Sequence, residues 1–257
     1  MSIIKAGQHI INHPEYGWAS FFEENFELIV KIQEVIDRKE GDFYPKPKEV
    51  FKIFKKIRPE NVKVLILGQD PYPQCNKHGE PIAMGYSFSV RPDSRIPPSL
   101  KNIFKVIKQN IGEESQCEED GDLTPWVEQN IFMLNSCLTV KPGEPASHGN
   151  IWLGFIQRTI AHIFKLSVFT PIDEVDSDDS DEEVEVKIVQ SNDKRDTLPI
   201  TLLWGRAAQD FANSCSGHIL LTSHPSPLGA RHGFLDCDHF KKVNILLKKR
   251  GDKEIIW

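Results

Sequence analysis

Residues 62–73 read VKVLILGQDPYP. The first six are dominated by Val, Leu and Ile, the composition of a strand buried on both faces of a parallel sheet. Gly68 then breaks the run and hands Gln69, Asp70, Pro71, Tyr72 and Pro73 to a stiff turn. Glycine gives the backbone freedom at the strand exit, and a proline on either side of Tyr72 fixes φ. A carboxylate and an aromatic ring are thereby held at the carboxyl end of a strand, where open α/β sheets bind their ligands. For a lone Asp-Pro the plainer account is a Pro-rich turn whose Asp caps a helix. Other stretches of the chain reverse that preference.

On either side, helical and extended patterns alternate. Trp18 to Arg38 places Phe21, Phe22, Phe26, Ile29, Ile32, Val35 and Ile36 near helical spacing, and Gly41 stops the run. Val50 to Ile57 is a short amphipathic segment. Beyond the Asp70 turn, Gln74 to Pro81 is irregular, and AMGYSFSV (83–90) alternates like a short extended segment carrying Phe88. Pro97, Pro98 and Ser99 open a helix with Leu100, Ile103, Phe104, Ile107 and Ile111 on one face, Ser99 standing where an N-cap belongs. A second strand, IFMLN, ends on Asn135, and a helix follows over 151–165. PITLLWG (199–205) is a third strand, with a helical stretch from Ala207. HILLTS (218–223) is a fourth, running to His224, and a helix over about 238–250 closes the chain.

Four apolar strands separated by helical segments predict an α/β fold. Residues 1–257 are expected to form a single-domain three-layer sandwich, with a central four-stranded, mainly parallel sheet flanked by helices. The strands end in Asp70, Asn135, Gly205 and His224, so their convergence on one edge predicts a single cleft.

Composition is that of an ordinary globular protein, with 39% hydrophobic and 26% charged residues. No apolar run approaches the roughly 20 residues of a membrane span. The start, MSIIKAGQHIINHPEYGW, lacks the apolar region of a secretion signal, and no clear targeting signal is visible. Five cysteines without a CxxC pair read as reduced thiols of an intracellular protein. The net charge of −6 is concentrated: nine acidic residues lie between Asp173 and Glu185. Setting those nine aside leaves 28 acidic residues against 31 basic ones, a mildly basic remainder that suits an anionic partner. The run DEVDSDDSDEEVE cannot bury apolar surface, and the region near 170–197 reads as a disordered acidic insertion.

Five stretches in order, GQDPYP, PPSL, LNSCLTV, LLWG and HPSPL, together with the closing EIIW, resemble the family 1 uracil-DNA glycosylases. That family's usual signatures are GQDPYH, PPSL, LLLN followed by LTV, LLWG and HPSPL. The resemblance spans about residues 15–257, interrupted by the acidic segment, and implies removal of uracil from single- or double-stranded DNA by a monomer that needs no cofactor and no metal. It implies an intracellular site of action, the nucleus or another site of DNA replication, with replication or repair proteins as possible partners.

Cleaving an N-glycosidic bond builds positive charge on the sugar and negative charge on the departing base. Asp70, the only acid in the five motifs, suits the first task, and His224 suits the second as a donor; the resemblance implies that it acts as a neutral imidazole. Asn135 carries a donor and an acceptor for the N3 and O4 edge of uracil. The resemblance implies that Phe88 is the stacking platform, that the Tyr72 ring crowds C5 against thymine, and that Gln69 acts through its backbone. It implies phosphate contacts from Ser99, Gly205 and Ser226, and a wedge at Leu228. Three positions depart from the family pattern. Pro73 replaces a histidine, Arg206 replaces a serine and Gly229 replaces a serine; Arg206, Arg231 and His232 are expected to supply phosphate contacts. Cys237-Asp238-His239 is too sparse for a metal site. The alternative function is a replication-associated DNA-binding scaffold with secondary or no glycosylase activity.

Overall fold

The computed structural model describes residues 2–38, 41–112, 121–165 and 198–257. The acidic insertion and Cys117 lie outside the described residues. Four strands form one sheet: β1 (Val64–Gly68), β2 (Ile131–Asn135), β3 (Ile200–Trp204) and β4 (Ile219–Thr222). They lie in the order β2-β1-β3-β4, and every pairing is parallel. Because β1 has β2 on one side and β3 on the other, the chain switches direction around it. The crevice of such a sheet opens beyond the carboxyl ends of the strands at that switch.

Every residue of β1, β2 and β3 is buried, which is why the three read as mainly apolar runs. Side chains alternate between faces along a strand. The register Leu67↔Leu134 and Leu67↔Leu203 therefore puts Phe132 on one face and Trp204 on the other. On the first face Phe132 meets Trp18 and Phe54, in a cluster that extends through Phe21, Phe22, Phe51 and Phe155. On the second, Trp204 meets Phe234 and Phe240, and Phe240 packs on Trp257. Aromatic cores on both faces make the three layers.

The first face is covered by α1 (Ile3–Ile11), α2 (Ala19–Glu24), α3 (Phe26–Arg38) and later α6 (Leu153–Ile163); α4 (Pro98–Ile111), α5 (Thr124–Val127) and α8 (His239–Lys249) join the second. The short α7 (Arg206–Gln209) follows β3 directly. Helix α1 buries Ile3, Ala6, Gly7 and Ile10 and is tied to α3 by Ile3 N donating to Gln33 Oε1 at 2.8 Å.

Three local expectations are corrected. The span 18–38 is two helices separated at Asn25, whose Nδ2 donates to Phe21 O at 2.8 Å and competes with helix continuation. Residues 83–90 are not extended. Gly85 and Phe88 adopt positive φ (89° and 61°), and Ser89 N donates back to Ser87 O, so the segment coils on itself. Ser99 does not cap α4: the N-cap is Pro97, and the Ser99 hydroxyl is used elsewhere.

Candidate active site

The turn after β1 is clamped by the segment after β2. Ser136 N donates to Gly68 O, and both Cys137 N and Ser136 Oγ donate to Gln69 O, each at 2.9 Å; Gly143 N donates to Pro73 O at 2.8 Å. The same segment supplies a hydrogen bond to the carboxylate, Ala146 N to Asp70 Oδ2 at 2.7 Å. Its position is anchored by buried Thr139, whose Oγ1 accepts from Trp152 Nε1 at 2.8 Å and pairs with His148 Nδ1 at 2.7 Å. Half-buried, Asp70 is pushed above the usual aspartate range by desolvation, and the Ala146 N–H offsets part of that rise.

Asp70, Pro71, Tyr72, Ser87, Phe88 and Asn135 line one pocket. Asn135 closes β2 opposite Gly68 and is 9% exposed. A Cβ at position 68 would stand 2.4 Å from Asn135 Oδ1, 3.0 Å from Ser87 Cβ and 3.3 Å from the Phe88 ring. Only glycine lets the amide and the ring approach the strand end so closely. The Phe88 ring lies 5.4 Å from Trp204 and 6.0 Å from His224, centroid to centroid. Tyr72 pairs its hydroxyl with Ser99 Oγ at 2.9 Å, and burial pushes the phenol well up, so it stays neutral. Ser87 is 1% exposed, and its hydroxyl has no partner among the described residues.

His224 closes the site from the β4 side. Ser226 N donates to His224 Nδ1 at 3.0 Å, which makes Nδ1 an acceptor and leaves the proton of the neutral ring on Nε2. Desolvation lowers its pKa and keeps it neutral. Gly205, with φ 91°, passes so close that a Cβ there would stand 2.8 Å from His224 Cβ. The following loop is folded on Ser226, whose carbonyl accepts from Gly229 N at 3.0 Å and Ala230 N at 2.8 Å. That fold projects Leu228 outward, 88% exposed.

The structure thus brings Asp70, Tyr72, Phe88 and Asn135 into one pocket; His224 does not line that pocket but lies beside the Phe88 ring. Gln69 points its side chain outward, with its carbonyl engaged. Arg206 and Arg231 are exposed, as is His232, while Ser226 is partly buried at the loop's base. Ser99 is buried, its hydroxyl joined to Tyr72. Pro73 is buried and contributes a carbonyl to the turn's clamp. Sequence reasoning missed Ala146, Ser136, Ser87 and Asn102, the last donating from Nδ2 to Pro225 O at 2.8 Å. Ala146 acts through its backbone and carries no side-chain signal.

Residues 54–173 match the model of the Uracil DNA glycosylase superfamily. The uracil-DNA glycosylase of Aliarcobacter butzleri is 38% identical over 233 residues, spanning 88% of this chain and 92% of its own. The chain belongs to the uracil-DNA glycosylase family. The uracil-DNA glycosylase of Haemophilus influenzae (strain PittEE) is 39% identical over 218 residues, 83% of this chain and 84% of its own. The crystal structure of mimivirus uracil-DNA glycosylase superposes with a TM-score of 0.74 at 28% identity, covering 94% of this chain and 86% of that one. The four-stranded parallel sheet with helices on both faces is therefore a uracil-DNA glycosylase fold in this chain too.

Proposed function

We propose that this chain flips uracil out of DNA and hydrolyses its N-glycosidic bond, leaving an abasic site, as a DNA-repair glycosylase. The observation that carries the reading is the meeting, at the carboxyl ends of parallel strands, of a carboxylate, an amide beside an aromatic ring, and an imidazole whose proton is on Nε2. As the bond to N1 breaks, Asp70 stabilises the positive sugar and orients the attacking water. His224 Nε2–H donates a hydrogen bond to the uracil oxygen on which negative charge develops; its depressed pKa favours donation by a neutral ring. Asn135 accepts from uracil N3–H and donates to O4. Cytosine presents a donor at the O4 position, which leaves buried polar groups mismatched. Phe88 stacks on the base, the Tyr72 ring excludes a C5 methyl, and Gln69 contributes its backbone.

The bond is unreachable inside the stack, so the nucleotide must swing out. Leu228 fills the vacated space. Gly205 and Ser226 bring backbone close to phosphates, Arg206 and Arg231 add charge, and Ser99 contributes from the first turn of α4, where helical N–H groups are unused. The partner is uracil-containing DNA, single- or double-stranded, met by a monomer at intracellular sites of replication or repair. No organic cofactor or metal enters this scheme. A purely scaffolding role is not favoured, because a carboxylate held desolvated serves binding to DNA poorly and serves catalysis well.

The test is release of free uracil from an oligonucleotide carrying a single uracil, with thymine and cytosine oligonucleotides as controls. Release from the first alone is expected. Release from none, or from all three, overturns the reading.

A further inference from the structure

We propose that α4 is a strut joining the two halves of the active site, and that Asn102 is the positioning residue through which it sets the His224 loop. The inference rests on the proposed role of His224. Ser99 and Asn102 are three residues apart at the start of α4 and so lie on neighbouring rows of one face. Ser99 holds Tyr72 in the turn after β1. Asn102 donates to the carbonyl of Pro225, the residue between His224 and Ser226. Ser226 N is the donor that fixes the imidazole tautomer and its direction. One helical turn therefore touches both catalytic loops, and Asn102 stands one peptide from the imidazole's only orienting bond among the described residues.

The loop needs such a support. Pro225 and Pro227 have no N–H to give, and β4, which delivers the loop, is an incompletely buried edge strand. The other end of the segment is held in the same way: Asn110 Nδ2 donates to Cys237 O at 3.0 Å, and Asn110 Oδ1 accepts from Lys241 N. The helix thus brackets residues 225–237, and Leu228 projects from inside the bracket. Neither asparagine serves the helix itself. Its buried face is Leu100, Ile103, Phe104, Val106 and Ile107, and asparagine is a weak helix former.

The two asparagines supply their own control, since each ties α4 to the same segment and Asn110, with two bonds against one, is the harsher loss. Asn102→Ala should lower kcat on uracil-containing duplex by about tenfold, the scale of a small misplacement of a catalytic group, with KM changed by less than about twofold. Asn110→Ala should leave kcat near wild type while shifting the melting temperature by at least as much. In the free protein, the Nδ1 and Nε2 resonances of His224 should move in Asn102→Ala and not in Asn110→Ala. Asn102→Asp, which keeps the shape and loses the donor, should reproduce the move. Wild-type kcat in Asn102→Ala, or losses in both variants that track stability with unmoved imidazole signals, overturns the strut. His224→Ala is run alongside: full turnover there overturns the site reading and this inference with it, whereas loss there without loss in Asn102→Ala overturns the strut alone.

Discussion

The ends of β1 and β4 carry the two groups proposed to share the chemistry, and they are built in opposite ways. β1 is central and wholly buried, and its exit turn is pinned by backbone donors from Ser136, Cys137, Gly143 and Ala146. β4 is an edge strand with Leu221 half exposed, and its exit is held largely by side chains: Gln209 donates to Thr222 O, Ser223 Oγ accepts from Phe234 N, and Asn102 donates to Pro225 O. Backbone-to-backbone clamping beneath a full core gives the carboxylate one position. Single side-chain bonds at a sheet edge open at lower free energy. The group proposed to face the sugar sits on the central, fully buried strand, and the loop proposed to follow the DNA sits on the partly exposed edge strand.

The sharpest way to break this contrast is to remove each group in turn. Asp70→Asn and His224→Ala should each cut uracil release by at least about a hundredfold, the scale of losing one preorganised electrostatic group. Their effects on stability should differ. Burial raises the Asp70 pKa, so at neutral pH the folded state holds a carboxylate the unfolded chain would ionise more easily. That penalty is fully present above the raised folded value, fades as pH falls through it, and is gone below the ordinary value of 3.8. Asp70→Asn should therefore melt higher than wild type at pH 7. His224, with a lowered pKa, is neutral at pH 7, and its loss brings no such gain. A lower melting temperature for Asp70→Asn would show that the Ala146 bond outweighs the desolvation.

Both groups lose their active form on gaining a proton, so turnover should fall on the acid side. Because burial depresses the His224 pKa and raises that of Asp70, the plateau of kcat should extend below the ordinary histidine value of 6.5 before it drops. A fall already centred at 6.5 would mean that the imidazole is solvated. Next in size, Leu228→Ala should reduce turnover on duplex by about tenfold and on single strands hardly at all, since only the duplex imposes unstacking and unpairing. Equal losses on both would remove the wedge from the edge-strand half. The smallest effect is expected for deletion of 173–185. The flanking Ile200 bonds to Lys63 O at the amino ends of β3 and β1, the edge opposite the cleft. Uracil release should be unchanged in a timed assay, and a fall in turnover would tie the acidic segment to the site.

Much of this plan was legible because burial left a plain mark. β2 runs over the span its five residues predict, and β1, β3 and β4 fall inside their apolar runs. Asp70, Asn135 and His224 follow from reading strand ends. What stayed hidden depends on contacts between distant segments. Residues 83–90 alternate like a strand, yet Ser87 N bonds to Met133 O and Val90 N to Gly121 O, and those ties bend the backbone into positive φ. Ser99 has the chemistry of a cap but meets Tyr72 first. Helix α1 carried a visible spacing in Ile3, Ala6 and Ile10, and it is the one element a closer reading of periodicity would have found.

The strand order has a further consequence for how such a chain comes into being. β1 is the first strand to leave the ribosome, yet both of its neighbours are still unmade: Val64 must wait for Ile131 on one side and for Ile200 on the other. Until the last quarter of the chain is synthesised, the most apolar strand of the protein has an open edge and no complete layer above it. The intervening acidic stretch adds little to the entropy of closing that gap, because the cost grows only with the logarithm of loop length.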